Sequence, residues 1–335
     1  MDELGAVVVT GASAGVGRAA AIAFAKKGYK VALIARGKAG LDAAVEEIES
    51  SGGVAFGVVC DVSNTDQLQQ SADYIEEKLG PIQIWVNNAM VSVFSPFKEM
   101  DLKDFHHVTE VNYLGFVNGT MIALKKMLAR NKGVIVQVGS ALAYRGIPLQ
   151  SAYCGSKHAI QGFSESLRCE LLHEGANVYV TMVQMPALNT PQFDWVKSKL
   201  SHSAQPVPPI YQPEIAAKAI VWAGEHPNRH ELQVGATTVA TILGNKIMPG
   251  ILDRYLAKTG FKSQQTHHNV ESIQPNNLWH PLDNDKDYGT HGRFDNRSHS
   301  KSLQLWASLH RKSLVFAIAS AMAIGVSQFG LSKVD

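Results

Sequence analysis

Thr10-Gly11-Ala12-Ser13-Ala14-Gly15-Val16-Gly17 lies between a short apolar run, Ala6–Val9, and an alanine-rich stretch from Arg18 to Lys27. That order predicts a strand, a glycine turn and a helix. Gly11 permits a tight turn, Gly15 lets the backbone approach a phosphate, and Gly17 lets helix and strand pack closely. An anion then rests at the helix N-terminus, where free N–H groups and the dipole favour negative charge. No Gly-Lys-Ser or Gly-Lys-Thr follows, which argues against a nucleoside-triphosphate loop. By itself such a turn is also compatible with plain structural punctuation; the flanking strand and helix argue for a phosphate.

The same alternation continues outward. Val31–Ala35, Phe56–Val59, Ile84–Asn87, Val134–Gly139 and Asn177–Met182 read as strands, with helical patterns over 41–49 and 65–79, the second stopped by Gly80-Pro81. Apolar strands alternating with helices predict a parallel sheet covered on both faces, a doubly wound Rossmann-type α/β fold in a single catalytic domain over residues 1–260. Pro191, Pro206, Pro208, Pro209 and Pro213 interrupt the rhythm, so residues 191–212 read either as a substrate lid or as a surface loop. A helix from Pro213 to Gly224, a strand at Leu232–Val234 and helices at Val239–Leu243 and Ile251–Lys258 follow.

The 335 residues are 45% hydrophobic, ample for one sizeable core, and carry a net charge of +2. No Lys or Arg run marks a nucleic-acid face. Cys60, Cys154 and Cys169 form no CxxC pair and suit a reducing compartment. The acidic start, Met1-Asp2-Glu3, does not resemble a secretory signal. The expected location is therefore cytoplasmic or the cytoplasmic face of a membrane.

Residues 262–302 are rich in Gln, Asn, His, Asp, Gly and Ser and read as a polar linker of low order. Its five histidines, His267, His268, His280, His291 and His299, match no usual metal spacing, so no metal site is expected and a solvated linker is favoured. Residues 303–335 are expected to hold a C-terminal apolar helix. Its stretch 313–332 contains no charged residue and follows Arg311-Lys312, which leaves open a membrane anchor or docking in a soluble assembly.

Arg36 follows the second strand, where an acidic residue would accept from an adenosine ribose. A cation there suits a 2′-phosphate, so NADP(H) is preferred over NAD(H), with solvent exposure at a strand end as the bland alternative. Ser13 can add a hydrogen bond, Asp61 can accept from an adenine amino group with Val62 packing the ring, and Asn87, Asn88 and Ala89 line the cofactor floor. Tyr153 and Lys157, four apart, face the same way if they share a helix. An ammonium beside a phenol stabilises the phenolate, which helps acid–base work near neutrality. Ser140 ends the fifth strand, where its hydroxyl can hold a substrate oxygen. An isolated surface Tyr–Lys pair is common by chance, and the glycine loop gives this one its meaning.

These motifs together make the chain resemble the short-chain dehydrogenase/reductase family, in its classical-size branch, over roughly residues 4–235. The resemblance rests on Thr10-Gly11 through Gly15-Val16-Gly17, Asp61, Asn87-Asn88-Ala89, Asn112, Ser140 and Tyr153-Cys154-Gly155-Ser156-Lys157. It implies that Tyr153 is the acid/base and that Lys157 lowers its pKa and binds nicotinamide ribose hydroxyls. It implies that Ser140 polarises the carbonyl and that Asn112 holds a water in a relay ending at Lys157. Pro186 and Thr190 would complete the nicotinamide site, with no metal, in a homodimer or homotetramer. Met90 stands where the family usually has glycine, and Pro186-Ala187 replaces Pro-Gly. Ala141, Leu142, Ala143, Tyr144, Gln184, Met185, Phe193 and Trp195 are expected around a mostly apolar substrate, a ketone or alcohol, with no Arg or Lys set to clamp a carboxylate. A dinucleotide-binding regulator without turnover, or an epimerase or dehydratase on the same scaffold, are the competing functions.

Overall fold

The computed structural model describes residues 4–270 and 274–315. Seven strands form one parallel sheet: β1 Ala6–Thr10, β2 Lys30–Ala35, β3 Val54–Val59, β4 Ile82–Asn87, β5 Gly133–Ser140, β6 Val178–Met185 and β7 Glu231–Gln233. Their spatial order is β7-β6-β5-β4-β1-β2-β3, so the winding reverses between β1 and β4. Every residue of β1 is buried, as its unbroken Ala-Val-Val-Val-Thr run requires of a strand covered on both faces. A crevice opens at such a switch point, beyond the carboxyl ends of the strands.

Among the described residues eleven α-helices accompany the sheet: α1 Gly15–Ala25, α2 Lys38–Ser50, α3 Thr65–Leu79, α4 Leu102–Thr109, α5 Gly115–Ala129, α6 Ser151–His173, α7 Gln192–Trp195, α8 Pro213–Glu225, α9 Ala236–Ile247, α10 Pro249–Ser263 and α11 Leu303–Leu309. One core cluster joins α1, α2 and α8 to one face of the sheet, through Phe24, Leu41, Ile220 and Val136. The second joins α3, α5 and α6 to the other face, through Leu68, Ile75, Trp85 and Leu167. A π-helical turn, Glu110–Leu114, separates α4 from α5 and holds Asn112. The sequence shows no clear helical period across 102–129, because the π turn interrupts it.

Residues 191–212 hold α7 and three two- or three-residue strands, and the apolar residues Phe94, Val196 and Ala204 pack there as a small cluster of their own.

The segment expected to be a loosely packed linker follows a different course. Gln265–Asn269 pairs antiparallel with His202–Ala204, and Ser298–His299 pairs with Ile210–Tyr211. Between them, residues 276–297 form a strap across the crevice, with Leu278 and Phe294 fully or almost fully buried. Leu305 of α11 then joins the core beside α1 and α8. No helix among the described residues is long and apolar enough to cross a membrane. Most of the apolar stretch 313–332 lies outside the described residues, so the expected C-terminal apolar helix is not shown.

Candidate active site

The glycine loop is built as a backbone cradle. Gly11 and Gly15 hold positive φ, +65° and +55°, and a side chain on Gly17 would place its β-carbon 2.1 Å from the Gly11 carbonyl oxygen. Only glycine allows that approach of helix to turn. Thr10 ties the loop to β4: its Oγ1 accepts from Asn88 N at 2.9 Å and Ala89 N at 3.1 Å, while Asn88 Nδ2 donates to Thr10 O at 2.9 Å. Asn88 and Ala89 thus brace the loop and also line the crevice. The side chain of Asn87, by contrast, is buried against Thr120, Gln137 and Trp85 and supports the floor from behind.

A cavity of about 490 Å³ runs from this loop to the ends of β5 and β6. Gly11, Ser13, Gly15, Val16, Arg36, Asp61, Val62, Met90, Ser140, Tyr153, Lys157, Pro186 and Thr190 all line it. The glycine backbone of the loop and the extent of the cavity fit a dinucleotide. Gly17 supports from within α1, and the Asn112 side chain stands behind the wall: its amide is paired with Val91 N and O at 2.8 and 2.9 Å and reaches Ser156 Oγ at 3.4 Å.

Tyr153 and Lys157 do share one helix, α6. Ser140 ends β5 with its hydroxyl accepting from Leu142 N at 3.1 Å. Burial holds the Tyr153 hydroxyl above the ordinary tyrosine value, with the Ser140 hydroxyl working in the other direction. Lys157 is 2% exposed, donates from Nζ to Val138 O at 2.7 Å, and packs over the rings of Phe116 and Tyr153. Burial pulls its pKa down to about 7. In this arrangement the Lys157 ammonium lies over the Tyr153 ring, is destabilised by burial and bonds to a carbonyl.

Several functional positions escaped the sequence reading. Thr237, Thr241, Leu252, Tyr255 and Leu256 of α9 and α10 close the substrate end of the cavity. They look like ordinary residues of amphipathic helices, and only the tertiary fold turns them toward the cleft. Arg145 also lines the wall, but its guanidinium is paired with Asp253 at 2.6 Å. Asn277, Pro281 and Asp283 come from the strap.

The strap meets several groups around the loop. Gly15 N donates to Gly289 O at 3.1 Å, and Arg18 bonds Asp287 at 2.5 Å. Arg36 donates to the carbonyls of Asn277, Leu278 and Trp279 at 2.5, 3.3 and 3.4 Å. Trp279 stacks on His107 at 4.0 Å between centroids and donates to the buried Asp104, which Lys197 neutralises at 2.5 Å. Of the histidines, His291 pairs with Glu214 and His299 tilts against Tyr211.

The family model for the short chain dehydrogenases matches residues 5–200. The uncharacterized oxidoreductase YxnA of Bacillus subtilis is 31% identical over 317 residues, 94% of this chain and 87% of its own. The 3-ketodihydrosphingosine reductase of Bos taurus is 33% identical over 223 residues, 64% of this chain and 67% of its own. Among solved structures, an alcohol dehydrogenase from the archaeon Thermococcus sibiricus complexed with 5-hydroxy-NADP superposes with a TM-score of 0.60 at 25% identity, covering 69% of this chain and 96% of that one. The chain belongs to the short-chain dehydrogenase family.

Proposed function

We propose that this short-chain dehydrogenase interconverts a ketone or aldehyde and the corresponding alcohol with a nicotinamide dinucleotide, Tyr153 serving as acid and base. The observation that carries this reading is the convergence of Ser140, Tyr153 and Lys157 on one buried cleft that begins at the glycine loop. Gly11, Ser13, Gly15 and Val16 would hold the diphosphate, Asp61 and Val62 the adenine, and Lys157, Pro186 and Thr190 the nicotinamide half. When bound, the dinucleotide supplies or accepts the hydride. Tyr153 Oη gives its proton to the carbonyl oxygen in reduction and takes it back in oxidation, while Ser140 Oγ holds that oxygen in place. The Asn112 side chain is engaged by Val91, so any part it has in proton relay runs through the backbone of the π turn.

The substrate end is lined by Leu142, Ile147, Phe193, Trp195, Val207, Leu252 and Leu256, which supports an apolar or bulky substrate. The relative named for reducing 3-ketodihydrosphingosine supports a ketone. Arg36, and a neighbour complexed with an NADP analogue, speak for NADP(H). That argument holds for a guanidinium free to turn toward a 2′-phosphate; here three strap carbonyls hold it. Leu114, Met121 and Leu128, seven apart along one side of the α5 region, are exposed, which supports a homodimer or homotetramer built on helix faces. The test is a panel of apolar ketones and alcohols followed by nicotinamide absorbance with both cofactors. Conversion of at least one class is expected; a chain that binds dinucleotide yet turns over no carbonyl or alcohol would overturn this function.

A further inference from the structure

The turn after β2 is where dinucleotide-binding sheets tell NAD from NADP, because the adenosine ribose 2′ position falls there. In this chain that turn carries three donors suited to an anion: the Arg36 guanidinium and the amides of Ala39 and Gly40 in the first turn of α2. The strap takes all three. Arg36 gives its hydrogens to the carbonyls of Asn277, Leu278 and Trp279, Ala39 N donates to Asn284 O at 3.2 Å, and Gly40 N donates to Asp283 O at 3.0 Å. The Asp283 side chain lies directly over the turn. A β-carbon on Gly37 would stand 1.9 Å from its Oδ1, and one on Gly40 2.9 Å from its Oδ2. Glycines at 37 and 40 leave the room that this carboxylate fills.

Asp283 is 6% exposed, lines the cavity, and its carboxylate interacts electrostatically with the Arg36 guanidinium beside it. A ribose hydroxyl could donate to this carboxylate. A phosphate would bring a second anion against the first and find its own donors already engaged.

We propose that Asp283 is a specificity-determining residue that opposes the 2′-phosphate: with the strap seated the chain takes NAD(H), and NADP(H) binds only by displacing it. The acceptor that selects the ribose hydroxyl comes from a segment about 250 residues beyond β2 rather than from the strand end itself. This rests on the dinucleotide reading of the cleft given above. It reverses the cofactor preference that Arg36 alone implies.

Titration calorimetry of the full chain with NAD⁺, NADH, NADP⁺ and NADPH tests it without recourse to turnover. The wild type is expected to bind the NAD pair at least about tenfold more tightly, and Asp283→Asn to narrow that ratio about tenfold, chiefly through tighter NADP(H). A wild type that prefers NADP(H), or a ratio unmoved in the variant, overturns the assignment while leaving the dinucleotide reading intact. Failure of both pairs to bind overturns the two together. Hydrogen exchange on the wild type supplies a check that needs no variant. The amides of 277–289 are expected to stay protected with NADH and to lose protection with NADPH; the opposite pattern overturns the proposal.

Discussion

The catalytic end of the cleft draws Ser140, Tyr153 and Lys157 from neighbouring stretches of chain, whereas the adenosine end joins Arg36 to Asn277 across 241 residues of sequence. At the first, a strand terminus and one helical turn fix the geometry, and the groups that matter are side chains. At the second, the donors come from the turn after β2 and the acceptors from strap carbonyls. The contrast teaches that one cleft can be assembled in two ways: by local spacing at one end, and by a distant segment laid over a ready-made opening at the other.

Four measurements press on that contrast. Removing the proton donor by Tyr153→Phe is expected to cost about a thousandfold in turnover and to leave dinucleotide affinity within about twofold; comparable losses in both would mean that the two ends are not separable. Gly17→Ala drives a β-carbon into the Gly11 carbonyl and is expected to destabilise the fold by about 3 kcal/mol and abolish dinucleotide binding. Denaturant melts and calorimetry read both effects, and retention of wild-type affinity would break the cradle argument.

The third concerns Lys157. Its folded pKa of about 7 lies below the ordinary lysine value, so between about pH 7 and 10.5 the unfolded chain binds more protons. Unfolding free energy from this group should rise with pH across that window, by up to about 1.4 kcal/mol per unit, and stay flat below it. Lys157→Met should flatten the slope, as read from urea melts at pH 7.5 and 9.5; an unchanged slope would show that burial there costs the ammonium nothing. The smallest effect is expected from Trp279→Ala, which removes the stack on His107 and the donor to Asp104. About 1 kcal/mol of strap stability should be lost, visible as faster hydrogen exchange over 276–292 with the sheet unaffected.

The central strands were legible because strands covered on both faces must read as apolar runs, and β1, β2 and β4 do. Their ends were less so: β6 continues through Val183, Gln184 and Met185, beyond the point at which the pattern was read as stopping, and Gln184 is a buried polar residue that breaks the run. Tyr153 and Lys157 were legible because their spacing carries meaning on any helix. The strap was not. Its anchors, Leu278, Trp279 and Phe294, are isolated among polar residues, and most of its grip comes from main-chain carbonyls, which every residue possesses and no composition reveals. Arg36 stands just beyond β2, where its place in the sequence puts it, yet its partners lie too far along the chain for spacing to disclose.

The bond from Gly15 to Gly289 also orders events during synthesis. The sheet's first six strands and the helix bearing the tyrosine and lysine have left the ribosome well before residue 289 does. The growing chain can pack its core and shape the catalytic corner, but its cleft stays unsealed until the strap emerges, a contact of very long range that nothing nearby can replace.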